Sequence, residues 1–176
     1  MSPPLESPSL RLPHYLPDGG DLDTARITAF FEKARATRPK LDLPAFAEVR
    51  WIGLDPDTTE QIIELIKSGK KTGTFTLPWI AERTRAEPPQ PGLPLICIDF
   101  SCQPRLVVRL TDVETVPFGD ITEEHTAIDG PPVRPLDIWK PLHTQYWNSQ
   151  LAPFGLTVSE AMPVWIEPFE LVYAEA

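Results

Sequence analysis

The segment Gly69-Lys70-Lys71-Thr72-Gly73-Thr74 concentrates reactive side chains in a 176-residue chain. A helical pattern ends there, two lysines follow, and a strand pattern begins with alternating hydroxyls. In a strand, Thr72, Thr74 and Thr76 point to one face. Core-facing positions of that kind usually carry Val or Ile, so hydroxyls there suit a polar pocket. A desolvated lysine can act as a general base and a nearby threonine as a nucleophile. Lys71 and Thr74, three residues apart across the helix-to-strand turn, are therefore a candidate base and nucleophile. The same residue types also fit a solvated lysine pair at a helix C-terminus, where the macrodipole favours cations. Residue types alone leave both readings open.

Other candidates carry their own plain alternatives. Trp79, Trp139, Tyr146 and Trp147 are either core residues or surfaces on which a nucleobase stacks, a contact worth roughly 1–3 kcal/mol per base. Trp79 directly follows the motif strand and is the preferred stacker. Arg83 and Arg85 lie just beyond it and are either solubilising or phosphate-binding. Cys97 and Cys102 are five apart, and His14, His125 and His143 have no ligand spacing, so no metal site is expected. Asp137 and His143, six apart, fall on different faces of a helix. The chain has no Gly-x-Ser-x-Gly, P-loop or GxGxxG motif.

The elements that must position these residues are legible in outline. Residues 1–20 hold five prolines and are expected to form an irregular arm, docked by Leu10, Leu12, Tyr15 and Leu16. A short helix is expected over Leu22 to Ala36 with Asp21 as N-cap. Ala47 to Leu54 reads as a strand. DPDTTEQIIELIKSGKKT is the clearest helix, with Asp57 and Glu60 resembling a capping box, Ile62, Ile63, Leu65 and Ile66 as its apolar stripe, and Gly69 at its C-cap. TGTFTLPW reads as a strand. Leu95–Phe100 and Leu106–Val116 read as buried strands. A short helix opens at Thr122 and ends near Asp129-Gly130. Leu136–Leu151 is a longer helix carrying Pro141, and Val164–Tyr173 is a closing strand. Strands with inserted helices, lacking regular βαβ alternation, indicate α+β.

Net charge is −9, which argues against non-specific coating of nucleic acid. The charge is uneven: residues 61–90 carry five basic and three acidic groups, whereas residues 111–176 carry two basic and eleven acidic. An anionic ligand would approach near the middle of the chain. No apolar run reaches the ~20 residues of a membrane span, and no secretory signal is visible, so a cytoplasmic protein is expected. Oligomeric state is left open.

The segment ELIKSGKKTGTFTL resembles the signature of the ASCH (ASC-1 homology) family, in which a helix leads into Gly-x-Lys-Thr-x-Thr. RLTDVETVPFGDITEEHTAIDG is similar to that family's strand, Val-Pro-Phe turn and short helix ending in an acidic residue before Gly. LDIWKPLHTQYW is similar to its Trp-x-x-x-His helix, and SEAMPVWIEPFELVY to the Met-Pro turn and last strand of a bacterial subfamily. The four pieces occur in the family's order over about Val49 to Tyr173. The resemblance implies a PUA-like small β-barrel with flanking helices, an ASCH-like domain over 46–176, and an arm with a short helix over 1–45.

Some bacterial members hydrolyse the acyl amide of N4-acetylcytidine; others are thought to bind RNA, and ribonuclease activity is assigned to some. The amidohydrolase motif maps onto Lys71, Thr74 and Asp129. It implies Thr74 as nucleophile, Lys71 as its activator and Asp129 as the group holding Lys71. Lys70, Thr72, Thr76, Trp79, Arg83, Trp139 and His143 are expected to line the ligand site. A modified nucleoside or RNA base is the expected partner, without cofactor or metal. Three positions depart from the family pattern: Asp129 replaces Glu, Gly92-Leu93 replaces Gly-Asp, and Thr76 stands where many members have Arg. A misplacement of about 1 Å can cost roughly a hundredfold in rate, and a shorter carboxylate is expected to loosen the pair with Lys71 or misplace it.

Overall fold

In the computed structural model, residues 6–14 and 16–175 are described. The elements run β1 (Ser9–Arg11), α1 (Thr24–Thr37), β2 (Phe46–Trp51), α2 (Pro56–Lys67), β3 (Gly73–Thr76), α3 (Pro78–Thr84), β4 (Pro94–Ile98), β5 (Pro104–Leu110), β6 (Glu114–Pro117), α4 (Glu123–Thr126), α5 (Leu136–Leu151) and β7 (Pro163–Ala174). They form one mixed seven-stranded sheet in the order β1-β2-β4-β5-β7-β3, with β6 also on β7. The fold class is α+β, as the sequence indicates. The barrel expected from the family resemblance is not closed, because among the described residues β1 pairs only with β2 and β3 only with β7.

The sheet is covered on both faces, which explains why all five residues of β4 are buried. Ile96 and Ile98 face α1, packing with Ile27, Phe30 and Phe31. Leu95 and Cys97 face α2 and its Ile63 and Ile66. A third cluster joins α5 to the β3 end, through Trp139, Trp147 and Leu151 against Phe75, Val164 and Ile166. The segment read as an arm contributes to the first cluster. Leu10 and Leu16 pack against it, Leu12 is exposed, and Tyr15 lies outside the described residues.

Local chemistry moved several boundaries. The N-cap of α2 is Asp55, whose carboxylate accepts from the Thr58 N–H at 2.7 Å, and not Asp57. Pro56 explains this: its fixed φ and missing N–H suit the first helical position, so the cap must precede it. The N-cap of α1 is likewise Asp23, accepting from the Arg26 N–H at 3.0 Å. The motif strand ends at Thr76, where Pro78 opens α3 in the stretch expected to continue as strand. Leu106–Val116 is two strands, β5 and β6. Among the described residues no helix is long and apolar enough to cross a membrane.

Candidate functional site

Lys71 reaches the interior because α2 ends in a tight reversal. Gly69 takes φ +77°, and the N–H groups of Lys70 and Lys71 both donate to the Leu65 carbonyl, at 2.9 and 3.0 Å. Lys71 is left 9% exposed. Its ammonium donates to Asp129 Oδ1 at 2.7 Å, across 58 residues of sequence. Asp129 arrives from the loop after α4. That loop is tied to the start of β3 by the Thr72 N–H donating to the Ile128 carbonyl at 2.8 Å.

Glycine at position 73 permits this approach. A Cβ there would lie 2.3 Å from Ile128 Cδ1 and 3.0 Å from the Glu167 carbonyl oxygen. Gly73→Ala should therefore cost about 1–3 kcal/mol by overpacking, measurable by urea unfolding; an unchanged midpoint would show that Ile128 moves aside without cost.

Three donors hold the Asp129 carboxylate. Oδ1 accepts from Lys71 and from the Gly130 N–H at 2.8 Å, and Oδ2 from the Trp139 indole N–H at 3.0 Å. Burial pushes this carboxyl up, but Lys71 and the Gly130 N–H more than offset it, so it titrates below its ordinary value. The shorter aspartate does not loosen the pair: at 2.7 Å it is in full hydrogen-bond contact.

His143 stacks on Trp139, with ring centroids 3.9 Å apart. Its Nδ1 lies 2.9 Å from the Trp139 carbonyl. A carbonyl can only accept, so Nδ1 carries the proton and, in the neutral ring, Nε2 bears a lone pair. Nε2 lies 3.9 Å from Asp129 Oδ2. Burial lowers the pKa of this imidazole, partly opposed by the Trp139 carbonyl and Asp129.

A second ion pair borders the same region. Glu167, 0% exposed, sits directly opposite Thr74 across the β3–β7 ladder. It receives two bonds from Arg50, both at 2.9 Å, and one from the Thr76 hydroxyl at 2.9 Å. The Arg50 Nε–H donates to Glu48 at 2.7 Å, and Glu48 also pairs with Arg11. Burial pushes the Cys97 thiol up to about 12, even though Arg50 and Lys71 both favour its thiolate. Cys97 thus lies within electrostatic reach of both cations. Thr74, half-buried on β3, makes no hydrogen bond through its hydroxyl within the described residues.

The expected residues divide accordingly. Lys71, Asp129, Trp139 and His143 converge, and Thr76 joins the Arg50–Glu167 pair. Trp139 is fully buried, so it offers no stacking face and reaches the site only through its N–H. Lys70 and Thr72 are exposed. Trp79 leans on the third core cluster, and Arg83 on α3 donates to the Trp79 carbonyl at 3.0 Å. Arg50, Glu48 and Glu167 were not anticipated. Their signal was present: Glu167 is a charged residue inside the otherwise apolar run VWIEPF, and Glu48 and Arg50 alternate within β2. A hollow of about 490 Å³ lies elsewhere, between Arg11, Phe46, Glu87 and Arg109; its cations are already paired with carboxylates. Among the described residues no group of three or more His, Cys, Asp or Glu is placed to hold a metal.

A family model for the ASCH domain matches residues 50–173. The chain is similar in structure to an ASCH domain from Lactobacillus crispatus JV V101, with a TM-score of 0.76 and 19% identity over 89% of this chain and 98% of that one. It is also similar to a protein of Enterococcus faecalis V583 assigned to family DUF984, with a TM-score of 0.73 and 25% identity over 85% of this chain and 89% of that one. No curated protein matches significantly.

Proposed function

Because the chain belongs to the ASCH domain family, we propose that the residues around the Lys71–Asp129 pair, with Thr74, bind a nucleoside or an RNA base, including acylated forms. The observation that carries this reading is the buried Lys71–Asp129 pair, with Lys71 three residues in sequence from the Thr74 hydroxyl, which has no hydrogen-bond partner among the described residues. An ammonium uses one N–H on Asp129 and keeps others for a ligand carbonyl or ring nitrogen. The net charge of −9 favours a small ligand over a long stretch of RNA.

The test is calorimetric titration with a panel of plain and acylated nucleosides, N4-acetylcytidine among them. Lys71→Ala should weaken the best binder at least about tenfold, since a charged hydrogen bond contributes about 1.5–3 kcal/mol. Equal affinity in Lys71→Ala would remove the basis of the reading.

The free Thr74 hydroxyl favours a second reading, hydrolysis of an acyl amide. Lys71, after losing a proton to solvent, would take the Thr74 proton as Thr74 Oγ bonds to the acyl carbon, while Asp129 stays ionised and positions the amine. The C–N bond then breaks, Lys71 returns the proton to the leaving amine, and water releases the acyl group as acid. Thr74→Ala should abolish release of cytidine from N4-acetylcytidine, followed by mass spectrometry, while binding survives. Wild-type turnover in that variant would exclude the covalent route.

A further inference from the structure

We infer that His143 accepts a hydrogen bond from a ligand N–H through Nε2, and that protonation of the ring switches this acceptor off. The inference rests on the reading of these residues as a nucleoside site.

The tautomer is the first support. With Nδ1–H committed to the Trp139 carbonyl at 2.9 Å, the neutral ring must present a lone pair at Nε2. No donor meets it within the described residues; the polar atom facing it is Asp129 Oδ2 at 3.9 Å, itself an acceptor. The ring is also locked. Trp139 covers one face at 3.9 Å, Trp147 meets it edge-on at 4.9 Å and Phe75 at 5.9 Å. A half-buried acceptor held in one orientation with no donor among the described residues is the form a preorganised ligand contact takes.

The chemistry around it defines what it accepts. Asp129 separates the His143 lone pair from the Lys71 ammonium, which contacts Asp129 on its other oxygen. The site therefore presents an acceptor and a cationic donor at different oxygens of one carboxylate. The complementary ligand edge has an N–H beside a carbonyl or ring nitrogen, as on the pairing edge of a base or an amide. His143 would read the N–H and Lys71 the acceptor.

Asp129 and Lys71 are the charged groups facing the imidazole, and Phe75, Trp139 and Trp147 supply its apolar surroundings. When the ring gains a proton, Nε2–H turns from acceptor to donor. It then points at Asp129 Oδ2, opposes a ligand N–H, and adds a second cation next to Lys71. Burial holds the ring neutral at pH 7, so the loss falls on the acid side.

The test is calorimetric affinity for uridine and cytidine between about pH 7.5 and about pH 4.5, a range carried to the acid side of the ordinary imidazole value because burial lowers this one. Wild type should lose up to about tenfold per pH unit once below its imidazole value. His143→Phe, which keeps the ring packing and removes the acceptor, should bind about tenfold more weakly at the upper pH and show no pH dependence. His143→Gln, with an amide oxygen, should recover part of the affinity and also lack the pH dependence. A flat wild-type profile, or a His143→Phe profile that still falls with pH, overturns the inference. If affinity depends on Lys71 but is independent of pH, only the role of His143 fails. If wild type binds no nucleoside, the reading of the site fails and this inference falls with it.

Discussion

Glu167→Gln should lower the stability of the domain by about 3–5 kcal/mol, the usual cost of removing one partner from a buried ion pair. Glu167 is 0% exposed and takes two bonds from Arg50 and one from Thr76. An amide of the same shape keeps one acceptor oxygen and turns an NH2 toward a guanidinium that cannot lose its proton. Glu48 remains on the Arg50 Nε–H but cannot supply the missing charge. Urea unfolding with tryptophan fluorescence would measure the loss. A control separates lost charge balance from lost packing: Arg50→Met/Glu167→Leu should cost much less than Glu167→Gln, because an apolar pair requires no compensation. A single variant within 1 kcal/mol of wild type would mean that water relieves Arg50 and that the pair is not a structural constraint.

Asp129→Asn should cost about 3 kcal/mol at neutral pH. Lys71 would keep its charge with no carboxylate to meet it, and the new amide N–H groups would confront the donors that now serve Asp129, namely Lys71, Gly130 and Trp139. The effect should depend on pH in one direction. Asp129 titrates lower in the folded state than in the unfolded chain, so its contribution is complete above the unfolded value of about 3.9 and disappears as pH falls through the folded value. The gap between wild type and Asp129→Asn should therefore be constant from about pH 7 to about pH 5 and shrink below about pH 4. Glu48 shifts the same way: burial raises it, and Arg50 and Arg11 more than reverse this. The Asn variant should thus retain some acid sensitivity from Glu48. A gap that widens with acid would show that Asp129 is not the ionised partner of Lys71. Asp129→Glu, in contrast, adds a methylene where the pair is already closed at 2.7 Å and the carboxylate is 7% exposed, so it should destabilise by overpacking, about 1–3 kcal/mol.

The amino-acid order by itself determined the elements and the chemistry of the motif. Helical spacing in α2 and α5 and alternation in β3 and β7 are local signals, set by side-chain periods that need no partner to be visible. The likeness of GKKTGT and its companion segments to one family carried Asp129 to Lys71 before any coordinate did. Boundaries were misplaced where proline acts, at Pro56 and Pro78, because a ring that fixes φ overrides the hydrophobic pattern. Only the tertiary structure decided what surrounds the motif. Glu167 looked like an ordinary charge in a strand until β3 placed Thr74 opposite it and β2 brought Arg50 to it from 117 residues away. Trp139 was expected as a stacking surface and His143 as a ligand-site residue until packing buried the one and left the other a single directed lone pair. The physical reason is the same in each case. Ion pairing and desolvation depend on distances between strands far apart in the chain, and those distances are set by the folding of the sheet rather than by any local period.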